Sequence, residues 1–477
     1  NLFSFGKPHE EPVRTVRHEE YNDSNLGQAT RESIGTAKTW DGFSKMGEMP
    51  LNDEIRVSST MNEREKRRKK RAMIKKLEDW YEKGLIKHTS HFTLDSDYDE
   101  IEDEYETALE VLDALKFKPS DEFSELLPNS IFEARIIQGK VTESGIYVAH
   151  DERKKLCVAY VLEGSPAQKA GIKRGWEILT INGKLITENY DLKTASANLI
   201  GPVGTPFNIN FQVAEETFLS KSIISEEYKV NPVLYKDVFT VDSTGKKKDI
   251  SVKVGYLAYQ NFISTDGLLP KRSKEVQERM EEFQRQGIQE LILDLRYSSG
   301  GEVEVVERLC NYIVPAEHNG KLMYTLKNNS KQTKYDRTVP FGKAGKIALN
   351  KVIILTSKQT KGPAEFIMNV MEPYLKVVQI GESTFGMPVG LDRIGTTGNS
   401  NFSKFNVELL GVKYILTNST GITNYWDGFP KSFPATPTKK AGYAYVSAPD
   451  NPRLDWGNTK DPQLAAAIKY IKTYVPD

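Results

Sequence analysis

The chain has 477 residues, 38% hydrophobic and 27% charged, and its 65 Lys and Arg balance 65 Asp and Glu to a formal net charge of zero. That length allows two to four domains around a large core, while the balanced charge leaves no overall field to draw in nucleic acid or an acidic surface. No apolar run approaches the roughly 18 residues of a membrane-spanning helix, and two cysteines, Cys157 and Cys310, are too few for a disulfide framework.

Residues 1–61 are polar, punctuated by Gly, Pro and Asn, and follow no helical or strand period. They read as an irregular N-terminal arm, either disordered or draped over a partner. Phe3, Phe5, Trp40, Phe43 and Met46 are its few anchors for docking into a larger complex. Residues 62–137 read as a small helical module. Its first helix, 62–84, carries the basic run KRRKKR at 66–71 opposite an apolar stripe of Met73, Ile74, Leu77, Trp80 and Tyr81. A patch for nucleic acid or anionic lipid is the sharper reading of that run; the neutral balance of the chain favours a solvated helix face, and no nucleic-acid partner is expected. A second helix spans 100–115. Asp95, Asp97, Asp99, Asp103 and Glu106 copy part of the spacing of a calcium loop, but Glu100 stands where its sharp turn demands Gly. The six histidines show no zinc spacing. Neither metal nor cofactor is expected.

Residues 138–213 are rich in strand signals. Gly164-Ser165-Pro166-Ala167 and Ala170-Gly171-Ile172 open a helix, Gly175 follows, and the strand 178–181 ends on Asn182-Gly183, a hairpin turn. This pattern resembles a PDZ domain. The resemblance implies that a peptide is added as an extra strand with its terminal carboxylate held by backbone N–H groups, here by the loop Ser144-Gly145-Ile146-Tyr147-Val148, so that Gly145, Ile146, Tyr147 and Val148 are the candidate peptide-binding residues. Trp176 departs from the Asp usual at that position.

Residues 214–477 alternate strands with helices: a strand at 254–262, an amphipathic helix at 273–286, an apolar strand at 291–295 running into Arg296-Tyr297-Ser298-Ser299-Gly300-Gly301, and a helix at 303–314. Such alternation predicts βαβ units and an open sheet covered on both faces. The strand 352–355 turns through Thr-Ser-Lys-Gln into a helix from Pro363, a strand-to-helix elbow of the kind that exposes a nucleophile. A strand at 377–380, the turn Gly381-Glu382-Ser383-Thr384-Phe385-Gly386 and a closing helix at 461–474 follow.

From about residue 70 onward these motifs resemble the C-terminal-processing (tail-specific) serine peptidases, whose elbow reads roughly T-A-S-A-S-E and whose later turn reads T-F-G-K. The resemblance implies a multidomain α/β protein: an open, crotonase- and Clp-protease-like peptidase core, a PDZ domain and the helical module. It also implies a Ser nucleophile and, 25 positions on, a Lys base. In this chain those positions hold Gly362 and Met387, still 25 apart. Glycine has no nucleophile and a thioether is no base. The residue whose N–H would serve the oxyanion is Pro363, which has none, and one such donor is worth about 2.7–4 kcal/mol of barrier. The family's L-D-L-R-x-N-x-G-G loop has Ser298 in place of Asn, with Gly300 and Gly301 still able to offer backbone N–H groups. The other register leaves Ser357, Ser383 or Lys361 to carry the chemistry.

The expectation is a catalytically inactive peptidase homologue that binds protein C-termini or unfolded peptides, as a scaffold or complex subunit; the alternative is an active endopeptidase with displaced catalytic residues. Envelope members of the family are periplasmic or outer-membrane-associated, often with a lipid anchor. A chain that neither begins with Met nor carries an apolar signal region is compatible with such a mature or truncated form.

Overall fold

The computed structural model describes residues 39–40, 68, 123–128, 134–135, 138–244, 249–263, 274–328, 333–394, 407–423, 425–432 and 441–473. The helices expected over 62–84 and 100–115 and the acidic run 95–106 lie outside them, apart from Arg68, which is helical. Two short strands precede the small domain, β1 (Thr39–Trp40) and β2 (Glu125–Pro128).

The small domain then runs β3 (Lys140–Glu143), β4 (Ile146–His150), β5 (Leu156–Val161), α1 (Pro166–Lys169), β6 (Glu177–Ile181), β7 (Lys184–Leu185), α2 (Leu192–Ala197), β8 (Pro206–Ala214), β9 (Thr217–Ile224) and β10 (Glu226–Lys229). Local chemistry sets these bounds. Ser165 caps α1 by accepting from the Gln168 N–H, with Pro166 in the first turn, where its missing donor is no loss. Asp191 caps α2 through the Thr194 N–H. Asn182 and Gly183 both take positive φ (49° and 79°), which closes β6 onto β7. The strands form an antiparallel sheet in the order β4-β5-β6-β8-β9, and the alternating burial of β8 turns Phe207, Ile209 and Phe211 into its core. Beyond residue 213, β9 pairs along β8 and β10 closes onto β3, so the strand pairing of this region runs on to Lys229.

The core domain contains β11 (Val233–Thr244), β12 (Asp249–Tyr259), α3 (Lys274–Gln286), β13 (Glu290–Asp294), β14 (Gly301–Glu302), α4 (Val303–Ile313), β15 (Leu322–Asn328), β16 (Arg337–Pro340), β17 (Lys351–Thr356), α5 (Pro363–Met371), β18 (Lys376–Gly381), β19 (Val389–Ile394), β20 (Val407–Asn418), β21 (Gly442–Ser447) and α6 (Pro462–Thr473). Its first sheet is β11-β12-β13-β17-β18-β21, parallel from β12 to β21 with β11 as an antiparallel edge. The strand period of two splits its apolar residues between faces. Leu291, Leu293, Val352 and Ile354 join the cluster with Met280, Phe283, Val306 and Phe366 of α3, α4 and α5, whereas Ile292, Ile353 and Leu355 pack with Leu464, Ala467 and Ile471 of α6. The sheet is thus covered on both faces, as the alternation of elements predicts.

A second sheet, β14-β1-β19-β20-β15-β16 with β2 on β20, is the part that periodicity does not foresee. It assembles strands from all along the chain, including Thr39–Trp40 of the arm.

Candidate active site at the strand-to-helix elbow

Gly362 stands at the N-terminus of α5 with φ 63° and ψ −102°, a conformation that side chains rarely adopt. Glu365, three residues on and fully buried, gathers the elbow and the later turn onto one carboxyl group. Its Oε1 accepts the N–H of Gly362 at 3.0 Å and of Met387 at 3.0 Å; its Oε2 accepts the Gly386 N–H at 2.7 Å and the Thr384 hydroxyl at 2.7 Å. With both amides on one oxygen, the Cα atoms of Gly362 and Met387 are no more than about 9 Å apart. That lies within the combined reach of a Ser and a Lys side chain. Gly386 is obligatory in this turn, because a Cβ there would meet the Trp426 carbonyl oxygen at 2.2 Å.

Neither position carries the hydroxyl or the amine that the resemblance implies. Met387 is 0% exposed, its side chain part of the main core cluster, and Gly362, Pro363 and Ala364 are buried. Both positions are thus closed off from solvent.

The glycine-rich loop lies alongside, the Lys361 N–H donating to the Ser298 carbonyl oxygen at 3.1 Å. Its Gly300 N–H is not available for an oxyanion. The side-chain Oδ1 of Asn261, just beyond β12, accepts from both Ser299 N–H and Gly300 N–H at 3.0 Å each. Asn261 carries no sequence signal, because its role arises only when β12 comes to lie beside β13. Gly301 is the first residue of β14 and belongs to a sheet. Ser298, where the family has Asn, is fully buried, and its hydroxyl meets no hydrogen-bond partner among the described residues.

Two of the three displaced-residue alternatives, Ser357 and Lys361, are engaged elsewhere. The Ser357 hydroxyl donates to the Arg296 carbonyl oxygen and accepts the Gln359 N–H at 3.1 Å. Lys361 Nζ sits 5.7 Å from the Phe123 ring and 5.5 Å from the Phe385 ring, a cation–π setting rather than a partnership with a hydroxyl. Ser383 is half-buried in the turn.

Gly145, Ile146, Tyr147 and Val148 are likewise committed to the protein's own groups. The Ile146 N–H donates to Ser144 Oγ at 3.2 Å, and the Val148 carbonyl accepts Gln359 Nε2 from the elbow at 3.1 Å. Ile146 and Val148 of β4 and Ala195 and Leu199 from α2 and its C-terminal turn are all at most 4% exposed and pack in one cluster. Buried Glu143 accepts the Tyr147 and Tyr228 hydroxyls at 2.8 and 2.9 Å, setting an acidic side chain beside the loop expected to hold a carboxylate. Trp176 packs edge-on against Phe211 at 5.3 Å, which accounts for its departure from Asp as a core contact.

Two arginines fasten the small domain and the C-terminal segment onto this site. Arg174 reaches the Leu454 carbonyl at 2.8 Å, the Ala159 carbonyl at 2.6 Å and Tyr297 Oη at 3.2 Å, with its guanidinium 4.1 Å from the Trp456 ring. Arg296, from the L-D-L-R run, forks onto Asp294 and pairs with Asp450 and Asp461. Burial alone would lower its pKa; the carboxylates of Asp294, Asp450 and Asp461 more than offset this and hold it well above its ordinary value. Among the described residues no His, Cys, Asp and Glu group could hold a metal ion.

Residues 253–407 match Peptidase family S41. The chain is 24% identical over 255 residues to the carboxyl-terminal-processing protease of Synechocystis sp., covering 52% of this chain and 53% of that one. It is 26% identical over 232 residues to carboxy-terminal processing protease CtpA of Bacillus subtilis, covering 49% and 44%. The chain thus spans about half the length of the curated relatives it matches. A putative S41 protease from Bacteroides fragilis superposes with TM-score 0.58 at 22% identity, over 83% of this chain and 96% of that one, and shares its fold.

Proposed function

Since this chain is a homologue of the C-terminal-processing peptidases built on a peptidase S41 domain, we propose that it is a member that has lost catalysis and retains binding to extended protein segments. The observation that carries this reading is the Glu365 clasp: it brings the two dyad positions together, and they hold a bare glycine and a thioether packed in the core. The proline at 363 and the capture of the Gly300 N–H by Asn261 support it from the oxyanion side.

The expected result is that a fluorophosphonate probe leaves no adduct on the intact protein and that unfolded casein survives incubation, both read by mass spectrometry. An adduct or casein fragments would sink the reading, and their loss in Ser357→Ala or Ser383→Ala would show that the nucleophile had moved.

We read residues 138–213 as a PDZ domain from its order of strand, helix, strand and Asn-Gly turn. One of its loop donors, the Ile146 N–H, is taken by Ser144 Oγ in this arrangement, which favours recognition by main-chain pairing over capture of a free C-terminus. A peptide and its C-terminal amide are therefore expected to bind within about twofold of each other. A carboxylate preference of tenfold or more in fluorescence anisotropy, the size of a charge-assisted hydrogen bond of about 1.5 kcal/mol, would restore the loop as the recognition site. The bacterial relatives fit a cell-envelope setting, and no helix among the described residues is long and apolar enough to cross a membrane. A scaffold or complex subunit in the periplasm or at the outer membrane, joined through the 1–61 arm or a lipid anchor, is the setting this reading favours.

A further inference from the structure

Thr39–Trp40 is seated in a slot one strand wide. β1 pairs antiparallel with β14 on one side, Thr39 opposite Glu302 and Trp40 opposite Gly301, and antiparallel with β19 on the other, Thr39 opposite Leu391. The outer edges of that slot are already taken. Phe262 holds the far side of β14, its N–H on the Gly300 oxygen at 3.0 Å and its oxygen on the Glu302 N–H at 2.6 Å, and β20 pairs with β19 from Val389 to Ile394. In the sheet order it is β1 that joins β14 to β19.

A backbone held by ladders on both sides is how an extended peptide binds by strand addition. Main-chain hydrogen bonds supply the affinity there, so the slot itself asks for an extended conformation more than for a particular sequence. The slot also runs past the elbow. β14 continues the Ser298–Gly300 loop that receives the Lys361 N–H, and β19 begins two residues after Met387.

We infer that the slot between β14 and β19 is a binding site for an extended peptide strand and that the chain's own Thr39–Trp40 fills it in cis, so that a peptide in trans enters only when the arm leaves. This rests on the peptide-binding reading above. A tethered strand competes at an effective concentration in the millimolar range, which holds out any free peptide that binds more weakly than the arm's own strand.

The test uses the full chain and a fluorescein-labelled synthetic peptide of residues 33–46, read by anisotropy. Trp40→Pro removes an N–H from the strand and disfavours it in a ladder with partners on both sides; this variant is expected to bind the peptide at least about tenfold tighter than the unaltered chain. Thr39→Cys with Leu391→Cys places cysteines at paired antiparallel positions, about 4.5–5.5 Å apart between Cα atoms, within disulfide range. The natural Cys157 and Cys310 are buried and do not compete. The oxidised double variant should show none of the tighter binding of Trp40→Pro, and reduction should return it to the affinity of the unaltered chain. Failure of the disulfide to form overturns the seating of the arm. A Trp40→Pro variant that binds no tighter than the unaltered chain, or an oxidised form that binds as well as Trp40→Pro, overturns the slot as the peptide site. Loss of catalysis is judged separately by the probe and casein experiment, so either conclusion can fail without the other.

Discussion

Glu365→Ala is expected to lower the unfolding free energy by about 4 kcal/mol or more, measured by urea denaturation at pH 5. Three amide N–H groups and the Thr384 hydroxyl would lose their acceptor inside a site with no exposure, and each buried donor left unsatisfied costs roughly 1–3 kcal/mol. A loss below about 1 kcal/mol would mean that the elbow and the turn are held together by other contacts. Burial pushes the Glu365 pKa up to about 7 from an ordinary 4.5, against the Thr384, Gly362, Gly386 and Met387 hydrogen bonds that pull it down. Because the folded value is the higher one, the native state keeps a proton that the unfolded chain has released between pH 4.5 and 7. This contribution is complete below pH 4.5 and fades as pH rises through 7, by on the order of 3 kcal/mol. Glu365→Gln should lack that slope, so the gap between the unaltered chain and this variant narrows from pH 5 to pH 8. A gap that stays constant would remove Glu365 as the titrating group.

Arg296→Leu is expected to cost about 3–5 kcal/mol, the penalty for leaving buried charges without their partner. The guanidinium and the Asp294 side chain are fully buried, Asp461 is 1% exposed and Asp450 7%. The aspartates cannot disperse into solvent, because the Tyr256 hydroxyl also donates to Asp294 and the Tyr297 hydroxyl donates to Asp450 at 2.7 Å. Arg296→Lys should recover only part of the loss, since an ammonium lacks the planar fork that serves three carboxylates at once. Limited proteolysis should then cut first around residues 448–461, which Arg296 ties to β13. Full protection of that segment in Arg296→Leu would place the anchorage elsewhere.

The elements around the site are legible in the residues themselves because their signals are local. The apolar run 352–355 can only be a buried strand, Pro363 marks the first turn of a helix, and Asn182-Gly183 marks a hairpin; the structure has β17, α5 and the β6–β7 turn at those places. That Gly362 offers no hydroxyl and Met387 no amine is equally direct, being a matter of which atoms those residues possess. What the sequence leaves open is partnership. Arg296 reads as part of a glycine-rich loop, yet its task is to hold Asp450 and Asp461, more than 150 residues away. Asn261 carries no motif, yet it accepts the Gly300 N–H that the resemblance assigns to an oxyanion.

By itself, then, the sequence determined the α/β class, the order of elements around the elbow and the lack of a hydroxyl at 362 and an amine at 387, because periodicity, turn chemistry and residue identity are properties of neighbouring positions. Only the tertiary structure decided that Glu365 gathers the elbow and the later turn, that the Ile146 N–H meets Ser144 and the Val148 carbonyl meets Gln359, and that Thr39–Trp40 lies between β14 and β19. Those outcomes depend on which of many chemically equivalent donors and acceptors finds which partner across the chain. Main-chain N–H and C=O groups are the same at every residue, so that choice is made by packing.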